Sequence, residues 1–145
     1  MKRTTTLNTV FGIFQSFNGL SGLLGGFMLI NDPTGSSLNM KLEWLQQTPF
    51  QNFLIPGFVL LLLVGIANAI GVWITCTKKK KRTQFGITFG VILMGWIISQ
   101  VAWIGYKDFL QPLYFTTGML QSIFGIILMK AINETKKSAN TQHRL

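Results

Sequence analysis

Hydrophobic and polar positions fall into long blocks along this chain. Four stretches carry no charged residue: 28 residues between Arg3 and Asp32, 34 between Glu43 and Lys78, 24 between Arg82 and Lys107, and 21 between Asp108 and Lys130. Each exceeds the ~20 apolar residues whose helix spans a hydrocarbon core. A helix satisfies its own backbone N–H and C=O groups in lipid, where water is absent. The pattern predicts an all-α membrane protein: a single domain over 1–133, built as a four-transmembrane-helix bundle. Its helices are expected over 8–30, 49–77, 83–106 and 112–133, followed by a polar, disordered tail over 134–145.

Finer patterning suggests how the helices pack. Gly12, Gln15, Gly19, Gly22 and Gly26 recur at spacings of three and four, on one stripe of the first helix. Small residues let two backbones approach closely in a membrane, so this stripe is a helix-packing seam, with Gln15 able to hydrogen-bond across it. A polar substrate path is the alternative. Gly86 and Gly90 form a weaker seam. Thr48, Pro49 and Gln51 read as the capped start of the second helix. Pro56 with Gly57 would then kink it two turns in. Between the first two helices, Asn31 to Gly35 carries turn residues. The mixture that follows fits a short interfacial segment on the membrane surface, anchored by Trp44.

Charge adds orientation. The 145 residues hold 13 Lys and Arg against 4 Asp and Glu, for a net charge of +9. Eleven cations fall on one side of the expected membrane and two, Lys41 and Lys107, on the other. This bias places both termini in the cytoplasm, together with the loop of Lys78, Lys79, Lys80, Lys81 and Arg82. Those five cations are also expected to contact anionic lipid, at about 1 kcal/mol each. Because the cations follow topology and not one binding face, nucleic acid is excluded as a partner. The lone Cys76 excludes an internal disulfide and suits a small apolar packing role.

No charged residue lies deep in a span, which argues against proton-coupled transport and intramembrane relays. A small multidrug transporter needs an embedded carboxylate, and four-helix disulfide-generating enzymes need cysteine pairs; both are missing. The single histidine, His143, cannot build a haem or metal site within one chain. No catalytic residue, metal or cofactor is therefore assigned, and an enzyme is not expected. One constellation remains. A short turn makes the third and fourth helices antiparallel neighbours, so Trp96, Gln100 and Trp103 could meet Tyr114, Thr117 and Gln121. That cluster reads either as a clamp between two helices or as a pocket for a small molecule or lipid headgroup.

Several short stretches carry a resemblance: Asp32-Pro33-Thr34-Gly35, Leu42-Glu43-Trp44-Leu45, Thr48-Pro49-Phe50, Phe53 to Gly57, Ile104-Gly105-Tyr106, and above all Leu110-Gln111-Pro112-Leu113-Tyr114-Phe115. Through them the chain resembles a group of small, uncharacterised bacterial four-helix integral membrane proteins, loosely similar in layout to DoxX-like proteins. The resemblance implies a bundle in a bacterial plasma membrane and transfers no functional residues. The expected function is that of a structural or interaction bundle, with the lipid bilayer and another membrane protein or a second copy as partners. The alternative is a binding or transport module for an apolar or amphipathic small molecule, a quinone or a lipid, in the outer half of the bundle.

Overall fold

The computed structural model describes residues 2–76 and 82–142. Four long helices form an antiparallel bundle: α1 (Lys2–Asn31), α2 (Leu54–Cys76), α3 (Arg82–Ile104) and α4 (Leu110–Gln142). All four are long and apolar enough to cross a membrane, and the described residues include no strand. The termini of the bundle share one end, the terminal end, with Cys76 and Arg82. The segment 32–53 folds over the opposite end, the roofed end.

Burial runs opposite to that of a water-soluble protein. Gln15, Asn18, Asn68 and Gln121 are fully buried, while Leu20 and Phe27 are 62% and 63% exposed. Water would penalise such an apolar exterior, whereas lipid tails are as apolar as leucine. The helices must then hold together by close packing and internal hydrogen bonds.

Close packing is concentrated in the glycine seam, which α1 presses against α2. A Cβ on Gly22 would stand 2.6 Å from the Gly65 backbone nitrogen, and one on Gly26 would stand 2.7 Å from that of Leu61. Gly19 approaches the Asn68–Ala69 backbone and Gly12 faces Thr75. The second seam divides between two neighbours: Gly90 meets Ser122 and the Gly118 carbonyl of α4, while Gly86 meets Phe11 and Gln15 of α1.

Several boundaries differ from the sequence expectation. α2 begins at Leu54, not Pro49. Thr48 does accept from the Phe50 N–H (3.2 Å), but that bond closes a turn; the Leu54 N–H is taken by Asn52 Oδ1 at 3.0 Å. Pro56 therefore falls in the first turn, where its missing N–H costs no helical bond, and it causes no mid-helix kink. The irregularity of α2 lies further on, where Leu60–Ile66 winds as π-helix. α3 stops at Ile104 because Gly105 turns left-handed (φ 71°). The tail expected to be disordered from 134 instead continues α4 to Gln142, with no glycine or proline to stop it. α1 likewise begins at Lys2 rather than near residue 8. Cys76 is exposed on the last turn of α2, while its neighbour Thr75 takes the inward position.

The roof is folded, not merely laid on a surface. The Asp32 carboxylate accepts from the Ser37 hydroxyl and N–H and from Thr34. Those bonds, led by the Ser37 hydroxyl, hold its pKa down to about 2. The Phe53 N–H reaches back to the Pro33 carbonyl at 2.9 Å. Leu45 and Phe53 are buried against Leu29, with Phe50 and Ile104 beside them.

Candidate functional site

Two sets of polar side chains lie inside the bundle. The first is a network at mid-depth, centred on Gln121 of α4. Its Nε2 donates to Asn68 Oδ1 (3.0 Å) and to the Gly86 carbonyl (2.8 Å). Its Oε1 accepts from Asn18 Nδ2 at 2.7 Å, and Asn18 Oδ1 accepts from the Thr117 hydroxyl at 2.8 Å. Asn68 Nδ2 completes the set by donating to the Val64 carbonyl (2.9 Å) at the π segment. One side chain thus ties α4 to the three other helices. Nearer the terminal end, the Thr75 hydroxyl donates to Gln15 Oε1 at 2.8 Å, while Gln15 Nε2 is buried without a partner. None of these groups titrates, so the network carries no proton chemistry. Its physical role is a clamp.

The second set lines a cavity of about 340 Å³ in the roofed half. Its walls come from α1 (Ser21, Leu24, Met28), α3 (Leu93, Trp96, Gln100) and α4 (Leu110, Tyr114), and Leu38, Met40 and Trp44 of the roof cover it. Tyr114 pairs with Phe17 at 6.5 Å between ring centroids, joining α1 to α4 at the level of the cavity floor. Above that level Leu24 and Leu110, 58% and 43% exposed, flank it. Lys107 and Asp108 lie at its rim, and the turn beside them is fixed by Gln111, whose Oε1 accepts from the Lys107 N–H at 2.9 Å. A side chamber of about 50 Å³ shares Trp96 and Gln100 with the cavity and adds Trp103, Phe50 and Thr48. A groove of about 480 Å³ along Ile98, Val101 and Phe115 is larger, but it lies open on the apolar outside of the bundle.

The expected six-residue cluster is therefore divided. Thr117 and Gln121 turn into the clamp and meet Asn18 and Asn68, not Gln100. Trp96, Gln100 and Tyr114 line the cavity, and Trp103 sits edge-on to Phe50 at 5.6 Å beside the chamber. Neither Gln100 nor Tyr114 makes a side-chain hydrogen bond with a described residue, and the indole N–H of Trp96 is buried without a partner. Gln15 bonds across the seam, as its place in the glycine stripe suggested. Lys78, Lys79, Lys80 and Lys81 lie outside the described residues, and Arg82 opens α3. Sequence reasoning missed Asn18. Its signal was present: a strong hydrogen-bonding amide three residues after Gln15, inside an uncharged span.

Fold and site together define a multi-pass helical membrane protein with an amide clamp at mid-depth and a cavity at one end. No protein-family model, curated protein or solved structure matches the chain.

Proposed function

We propose that this protein binds an apolar or amphipathic small molecule from the outer leaflet of a bacterial plasma membrane, in the cavity of its roofed half. Both termini lie in the cytoplasm and the roof faces outward; the eleven-to-two division of cations supports this orientation. The resemblance noted above supports the bacterial setting. One observation carries the binding reading: an apolar cavity of about 340 Å³ whose walls hold the side chains of Gln100 and Tyr114, neither hydrogen-bonded to a described residue. Small-molecule sites combine such a lining with a few polar groups that fix orientation. The protein acts as a binding module and not as an enzyme.

The interaction reading has less support, because the glycine stripe of α1 is occupied by α2 of the same chain. Association with another membrane protein, or with a second copy, then rests on the apolar outside alone. The test is to purify the protein in native lipid and identify by mass spectrometry what remains after extensive exchange into a defined lipid. A near-stoichiometric amphiphile, lost when Leu24→Trp fills the cavity mouth, is the expected result. A protein that retains nothing, or whose retained lipid is indifferent to that substitution, refutes the proposal.

A further inference from the structure

Resting on that reading, we infer that the cavity takes its guest head first: a neutral, ring-headed amphiphile bearing a carbonyl or hydroxyl oxygen, whose tail leaves sideways between Leu24 and Leu110. A phospholipid acyl chain is the competing occupant. Depth separates the two. Gln100 lies four residues inside the end of α3 at Ile104, or ~6 Å deeper at 1.5 Å per residue, and the turn that carries Lys107 stands beyond that end. Lys107 marks the polar rim, so a phospholipid anchored there brings only hydrocarbon to the level of Gln100. Hydrocarbon leaves the Gln100 amide unpaired in a space from which water has been driven, which binding sites with buried polar groups penalise strongly. An oxygen-bearing head satisfies it.

The remaining walls narrow the chemistry. Trp96 and Gln100 are one turn apart on one face of α3, so a donor-only group and an amide that both donates and accepts stand side by side. Trp44, Trp96 and Tyr114 offer flat apolar surfaces that suit a ring. No ionisable side chain lines the cavity below Lys107 and Asp108 except the phenol of Tyr114, so a charged head would be buried without a counter-ion. The volume stands near the lower end of the ~300–1,000 Å³ of small-molecule sites, enough for a ring and too little for a two-chain lipid.

The test uses the full chain in phosphatidylcholine nanodiscs, with empty nanodiscs as the partition control. 4-Dodecylphenol and dodecylbenzene are titrated separately while tryptophan fluorescence is followed. The phenol is expected to saturate at one per protein and to bind about tenfold more tightly than dodecylbenzene, the worth of a buried hydrogen bond. Gln100→Leu, checked for an unchanged melting temperature, should erase that difference. Equal binding of both compounds to the unmodified protein overturns the head-first inference and leaves the cavity as a binding site. Binding of neither compound, with full quenching by phosphatidylcholine brominated on its acyl chains, assigns the space to the phospholipid and overturns it as well. Absence of all three signals removes the proposed function itself.

Discussion

The middle of the bundle and its roofed half answer the same problem, polar groups among apolar helices, in opposite ways. At mid-depth every hydrogen-bonding group of Gln121 is engaged, and all four helices converge on it. In the roofed half the Gln100 side chain lines the cavity and bonds to no described residue. Two glutamines on neighbouring helices thus have unlike roles: one holds the fold together, and the other is left available. The difference teaches that polarity within a span does not by itself separate structure from function. What separates these two amides is whether described side chains and carbonyls meet their hydrogen bonds.

The contrast breaks first at the seam. Gly22→Leu drives a side chain into the Gly65 backbone and should cost about 3 kcal/mol or more in a reversible unfolding titration in bicelles. Gln121→Leu strands Asn18, Asn68 and the Gly86 carbonyl together, and about 2 kcal/mol is expected by the same measurement. A double-mutant cycle on Asn18→Ala and Thr117→Ala should return a coupling of about 1 kcal/mol, within the range known for interhelical bonds in membranes. Gln100→Leu should change stability by less than about 0.5 kcal/mol, since it breaks no bond. If Gln100→Leu destabilised as much as Gln121→Leu, the two halves would not differ.

The roof supplies a smaller, pH-dependent effect. The folded Asp32 pKa of about 2 lies below the ordinary 3.8, so its contribution to roof order is complete above the ordinary value. It fades as pH falls through about 2, because protonation removes the acceptor for Ser37 and Thr34. The protection of the Ser37 amide, relative to the intrinsic exchange rate at each pH, should therefore fall between pH 4 and 2. Asp32→Asn should show low protection at Ser37 across that window, with no step in it.

Much of the fold was legible because charge is so costly in a bilayer that its absence alone marks the spans. The glycine stripe of α1 was legible for a similar reason: three- and four-residue spacing defines one face whatever its partner. What could not be read was which partner each face meets. A short turn makes α3 and α4 neighbours, yet neighbouring helices share only one stripe. Thr117 and Gln121 lie on another, toward α1 and α2. Asn18 was hidden next to the conspicuous seam. The start of α2 was misplaced because Thr48-Pro49 and Asn52 offer two competing caps, and only the position of Pro56 favours the second.

The π segment of α2 also has a consequence for chain length. A π turn behaves as a single extra residue within an α-helix. Deleting one residue from 60 to 66 would therefore restore regular winding and leave the remainder of α2 at its present rotation about the axis. Asn68 would still face Gln121, whereas a deletion between 69 and 74, where the winding is regular, would swing Thr75 about 100° away from Gln15. The wide turn thus holds a residue in reserve, and a one-codon deletion within it should do less harm than one between Asn68 and Thr75.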